Sequence, residues 1–288
     1  MEVDFSKFKC RCSAISKLLS NGVDGRQITA NQEVELKKLE DKEGRTPKQD
    51  EEMTRLLALK ANKGKIILGE TAIGYLMEVY AWETEGMIPV SKESMDILSI
   101  SKGKKQEAQA GALLGFVDDV EYKVHKDRIK NEFLSGEIDL YAGDSVYKAN
   151  RLPDIKNSWD YTVFLKKIRG GLESGQREQL QGYGDITGAT DLLIANCLVD
   201  CTDENIEEVK WRVAKKFGAV SIESPEFLKE WGKWERSMKF EHIDPYKRVH
   251  KIPVEPFTDF ERQKVYDRVK YARDWLCIFH KEHEKRNK

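Results

Sequence analysis

The run Asp191-Leu-Leu-Ile-Ala-Asn-Cys-Leu-Val-Asp200 constrains the fold more than any other stretch of the chain. It is continuously apolar, yet far shorter than the roughly 20 residues a membrane span requires. A short apolar run without polar alternation reads as a strand buried on both faces. It lies in a chain of 288 residues of which 34% are charged and 40% are apolar. Such a composition supports a sizeable core beneath a heavily charged surface.

The segments around this strand read mostly as helices. Residues 1 to 65 are charge-rich and form two amphipathic helices split at Gly44-Arg45-Thr46-Pro47, with Thr29 and Thr46 as N-caps and Pro47 in a first turn. Residues 66 to 83 are the first apolar block, with Ile73, Leu76, Met77 and Tyr80 at helical spacing. A further helix starts near Ser91 and carries Glu93, Met95, Ile97 and Leu98. Between Asn131 and Ser158, short β-type runs are broken by Ser135-Gly136, Ala142-Gly143-Asp144 and Asn150, the signature of a hairpin. Helical periodicity returns over Gly175–Ala189 and again over Ile206–Phe217, where Gly218 ends the helix. The tail from Ser221 is helical, with a loop around Lys251–Phe257 and an apolar stripe of Val265, Val269, Ala272, Leu276 and Phe279. The class is mixed α/β. The expected organisation is a helical extension over 1–65, a core over 66–220 and a second helical extension over 221–288, together one compact domain.

Charge and cysteine usage narrow the chemistry. The formal net charge is −1, so any nucleic-acid partner must be met by a local basic face. Five cysteines at irregular spacing argue against a disulfide framework and fit a reducing cytoplasm. Neither Cys10-x-Cys12 nor Cys197-x3-Cys201 has the spacing of a zinc or iron–sulfur knuckle. The N-terminus lacks a signal-peptide core, and no membrane association is expected.

The tripeptide Asp154-Ile155-Lys156 stands out among several acid-x-lysine triplets because of its neighbours. It follows Gly136-Glu137-Ile138-Asp139, so residues 139 and 154 can lie side by side on adjacent strands of one hairpin. Strand alternation puts Asp154 and Lys156 on one face and Ile155 on the other. Downstream, Gln179 and Tyr183 are spaced to share one helix face. Two converging carboxylates repel unless a cation lies between them, and an all-oxygen site suits Mg²⁺ or Mn²⁺ rather than Zn²⁺. A lysine beside them can orient an attacking water and stabilise charge on a phosphate. From Ser145 to Gly170 there are six basic residues (Lys148, Arg151, Lys156, Lys166, Lys167, Arg169) against two acids, the local excess a phosphate backbone needs. Trp159, Tyr161 and Tyr183 interleave with these charges and offer faces for base stacking.

Taken together, the three motifs resemble the PD-(D/E)XK nucleases, in particular the RecB-like and YqaJ/lambda-exonuclease-like branch found in phages. The likeness extends to Phe8–Ala14, Glu132–Leu140, Ile186–Asp200 and Val265–Leu276. The resemblance implies a restriction-endonuclease-like core, a mixed sheet flanked by helices, with helical N- and C-terminal extensions. It implies a Mg²⁺-dependent DNA exonuclease, with Mn²⁺ able to substitute, acting on linear duplex ends in phage-type recombination or replication. Asp139 and Asp154 would be metal ligands, Ile155 would lend its carbonyl and Lys156 would be the catalytic lysine. An upstream helix would supply a further acid, Glu93, with Glu78 as the alternative. Gln179 and Tyr183 would lie beside the DNA strand, with Trp159 and Lys166 as further contacts. Ser13 would touch a phosphate or cap a helix. Implied partners are DNA and a single-strand annealing protein, and homo-oligomerisation is left open. Two features depart from the pattern: Ile138 replaces the name-giving proline, and the cysteine set of some relatives is missing, so no iron–sulfur cluster is expected. The alternatives are a structure-specific endonuclease or nickase on the same fold, and a non-catalytic DNA-binding protein.

Overall fold

A computed structural model describes residues 3–21, 26–87 and 105–286. In chain order its elements are β1 (Cys10–Arg11), α1 (Ile15–Leu18), α2 (Ala30–Glu40), α3 (Pro47–Ala61), α4 (Glu70–Glu85), α5 (Glu107–Asp118), β2 (Lys123–Val124), β3 (Ile129–Lys130), β4 (Leu134–Gly136), β5 (Leu140–Gly143), β6 (Ala149–Asn157), α6 (Tyr161–Gly170), α7 (Gln176–Thr187), β7 (Asp191–Cys197), α8 (Asp203–Phe217), α9 (Pro225–Arg236), β8 (Val249–Val254) and α10 (Asp259–Arg286). The chain is mixed α/β and divides into two compact units, one of residues 1–10, 14–89 and 259–288, the other of residues 11–13 and 90–258.

In the first unit, α2 and α3 form a hairpin around Leu36, Leu39 and Leu56. Thr29 caps α2 through a reciprocal box with Gln32, and Gln49 Oε1 accepts from the Thr46 amide at the start of α3. α10 ties the unit together at two loops: Arg268 donates to the Ile67 carbonyl at 2.9 Å and Arg273 to the Phe8 carbonyl at 2.9 Å.

The second unit is built on a five-stranded mixed sheet in the order β2–β5–β6–β7–β8. The strand expected at 191–200 is there as β7, buried from Leu192 to Cys197. It pairs parallel with β6, Asp154 opposite Ile194 and Ile155 opposite Ala195. Its other neighbour is β8, antiparallel, with Leu193 opposite Pro253. This last strand corrects the sequence reading, which makes Lys251–Phe257 a loop: residues 249–254 form an edge strand. Pro253 suppresses the strand signal in the sequence, but an edge position tolerates a residue that cannot donate to a second neighbour.

Alternation along β7 decides which helix covers which face. Leu193, Ala195 and Cys197 pack with Ile155 against Ala110 and Leu114 of α5. Leu192 points the other way and meets α7, where a Cβ added at Gly184 would come within 2.9 Å of it. The register then places Asp154 and Lys156 on the α7 face and Ile155 in the α5 core. β5 and β6 form the hairpin, with an irregularity at Ala142/Gly143. Gly143 adopts φ +141°, where a Cβ would lie 2.6 Å from the Lys148 carbonyl.

Candidate active site

Asp139 immediately precedes β5. The antiparallel register of Ala142 with Arg151, continued along the hairpin, brings it opposite Asp154. Its Oδ2 accepts the Ile155 amide at 2.9 Å, which fixes the carboxyl against the neighbouring strand. Asp154 is 3% exposed, and Lys156 Nζ lies 2.7 Å from its Oδ2. A carboxylate oxygen in one such contact still has lone-pair capacity for a further partner.

Electrostatics sharpen the picture. Burial, then the nearby Asp154, pushes the Asp139 carboxyl up to about 7 against the pull of the Ile155 amide and Lys156; Glu107 adds a smaller push. Burial also raises Asp154, and Lys156 opposes the rise. Burial works against the Lys156 ammonium, but Asp154 and Asp139 outweigh it and hold the lysine above its ordinary range. Two buried carboxylates with one ammonium leave a local negative excess that a divalent cation would neutralise. The donors, two carboxylates with a backbone carbonyl at hand, are hard oxygens of the kind Mg²⁺ prefers. Mg²⁺ takes one or two carboxylates and completes its shell with water and phosphate. Among the described residues no group of three His, Cys, Asp or Glu side chains that could hold a metal ion is present.

α7 supplies the second wall. Gln179 Nε2 donates to Tyr183 OH at 2.9 Å, so the two residues act as one unit. Tyr183 is 5% exposed, and burial, followed by the field of Asp154, raises its phenol. Its ring fills the space over Gly136: a Cβ there would fall 2.4 Å from Tyr183 Cε1. The glycine of the first motif is thus shaped to the tyrosine of the third, a link that no local pattern in the sequence displays.

The remaining expected residues are less central. Ser13 is exposed in a 3-10 turn over Cys12–Ala14, and Trp159 is half-buried between β6 and α6. Lys166 faces solvent on α6, whereas its neighbour Lys167 turns inward and donates to the Asn157 carbonyl at 3.2 Å. Arg151 is committed to a structural network, 2.5 Å from Asp191 and 3.6 Å from the buried Asp118. Glu93 lies outside the described residues. Glu78 is exposed on α4, in the other compact unit. Besides Asp154, the acid whose charge acts on Asp139 among the described residues is Glu107, in the first turn of α5, and its effect is the smaller. The sequence carried a signal for it: Ala110 and Leu114, three and seven residues on, mark the face that packs on the sheet.

The comparison with solved structures bears on the fold. The chain shares its fold with a phage-related exonuclease from Haemophilus somnus, at TM-score 0.58 and 17% identity over 96% of this chain and 97% of that one. It also matches an alkaline exonuclease from Laribacter hongkongensis, at TM-score 0.53 and 9% identity over 99% and 94% of the two chains. The same enzyme in complex with dAMP matches at TM-score 0.52 and 10% identity over 98% and 94%. No protein-family model and no curated protein sequence matches the chain.

Proposed function

We propose that the protein is a metal-dependent deoxyribonuclease that removes nucleotides from the ends of linear DNA. The observation that carries this reading is the convergence of Asp139 and Asp154 around the Ile155 amide, with Lys156 paired to Asp154. The exonuclease fold of the neighbours supports the same reaction class.

In this reading Asp139 and Asp154 would hold Mg²⁺, or Mn²⁺ in its place, with the Ile155 carbonyl as a further donor and Glu107 adding negative charge through its effect on Asp139. The bound ion would lower the pKa of a coordinated water and take up charge on a phosphate oxygen. Lys156, kept protonated by its two acids, orients the attacking water and stabilises the negative charge that builds on the phosphate. Asp139 must shed its proton to bind the cation, which ties metal uptake to pH near its value of about 7. Gln179 and Tyr183 form a rigid wall on the α7 side, against which the strand is positioned. A setting in recombination or replication, with a single-strand annealing protein as partner, follows from the same reading.

Purified protein incubated with end-labelled linear duplex is expected to degrade it with Mg²⁺ and not with EDTA, while closed circular DNA stays intact. Lys156→Ala is expected to lower the rate by roughly 10²–10³ with the fold preserved. Full activity in that variant refutes the mechanism, and cleavage of the circle points to an endonuclease instead.

A further inference from the structure

Lys167 occupies the last turn of α6 and folds back on the strand that carries the site. Its Nζ donates to the carbonyl of Asn157, the residue after Lys156. One of its three ammonium donors is therefore used and two remain. The side chain is half-buried, unlike its exposed neighbours Lys166 and Arg169. Burial depresses its pKa, with Glu173 opposing and Lys156 reinforcing the effect. Among the described residues no carboxylate comes within 4.0 Å of Lys167 Nζ. Glu173, the nearest acid by its electrostatic effect, has its own carboxylate engaged by Gln176 Nε2 at 3.2 Å. The two other half-buried cations of β6 each have an acid: Lys156 pairs with Asp154, and Arg151 with Asp118 and Asp191.

A half-buried ammonium in the field of a second ammonium, with no carboxylate in contact, lacks its counter-ion. We propose that Lys167 is a substrate-binding residue whose counter-ion is a DNA phosphate, the one adjoining the phosphate that Lys156 serves. The Asn157 carbonyl sets the position of Nζ, and the anion relieves the repulsion between the two lysines. The proposal rests on the nuclease reading for the identity of the anion. It concerns binding, so its test is kept apart from turnover.

Binding of a short linear duplex is measured by anisotropy in EDTA, over a series of salt concentrations, for the wild type, Lys167→Gln and Lys167→Arg. Lys167→Gln is expected to bind about tenfold more weakly. Its log–log salt slope should be shallower by about 0.9, the signature of one lost phosphate contact. Lys167→Arg should restore the slope. A duplex with one neutral methylphosphonate beside the terminal scissile position should weaken the wild type by the same factor and leave Lys167→Gln unaffected. An unchanged slope in Lys167→Gln, or no position at which the neutral linkage weakens the wild type, overturns the proposal. Absence of salt-dependent binding in the wild type overturns it as well. If Lys167→Gln does not fold, the methylphosphonate scan on the wild type decides alone. Failure of the nuclease reading looks different: the wild type then leaves linear DNA intact in Mg²⁺, whatever the binding series shows.

Discussion

Substituting Asp139 by asparagine is expected to stabilise the metal-free protein and to abolish its response to Mg²⁺. Burial and the neighbouring Asp154 hold the Asp139 carboxyl at about 7, against 3.8 for an ordinary aspartate. The folded chain thus keeps a proton that the unfolded chain releases. The contribution of Asp139 to stability is therefore greatest at acid pH and falls as pH rises from about 4 to about 7. At 1.36 kcal/mol per pH unit the full penalty above that window is roughly 4 kcal/mol, of which roughly 2 is already present at pH 5. Asparagine carries no such penalty, and its Oδ1 can still accept the Ile155 amide that Asp139 accepts at 2.9 Å. The stability advantage of Asp139→Asn in EDTA should then widen by about 2–3 kcal/mol between pH 5 and pH 8, on the order of 5–10 °C in melting temperature. Adding Mg²⁺ at pH 8 should raise the melting temperature of the wild type and leave that of the variant unchanged. Thermal denaturation followed by circular dichroism, at both pH values with EDTA or Mg²⁺, measures all four quantities. An advantage that does not grow with pH refutes the reasoning about Asp139, as does a Mg²⁺ shift that survives the substitution.

Two further substitutions probe the walls of the site. Gly136→Ala drives a methyl to within 2.4 Å of Tyr183 Cε1 and 3.3 Å of Cys12 Sγ, so a loss of about 1–3 kcal/mol in chemical denaturation is expected; pairing it with Tyr183→Ala should recover part of that loss. Glu107→Gln should raise the Mg²⁺ concentration needed for half-maximal DNA cleavage while leaving the melting temperature in EDTA within about 2 °C, because Glu107 is exposed and acts on Asp139 only through its charge. A Mg²⁺ requirement identical to wild type removes Glu107 from the metal site.

What was legible in the chain was legible because it is local. The capping residues Thr29 and Thr46 and the α2–α3 hairpin follow from turn and cap chemistry within a few residues. The placing of Asp154 and Lys156 on one face and Ile155 on the other follows from the period of a strand. Lys166 and Lys167 show where such reasoning stops. Both count equally toward a basic segment, and only the packing of α6 sends one to solvent and the other to the Asn157 carbonyl. Arg151 likewise counts as a cation for phosphate in the sequence, while its partner Asp118 lies on a helix that precedes the hairpin. The edge strand over 249–254 escaped because a proline breaks the strand pattern without breaking the strand.

By itself the sequence determined the class of the fold, the buried strand over 191–197 and the three short motifs, since each is a matter of composition and spacing within a single element. The tertiary structure alone decided how those motifs meet: β7 in parallel register with β6, Tyr183 over Gly136, the Asp139 carboxyl on the Ile155 amide, and one lysine of α6 turned inward. These are contacts between residues far apart in the chain. Periodicity tells which side of an element a residue occupies, but register and packing choose what faces it.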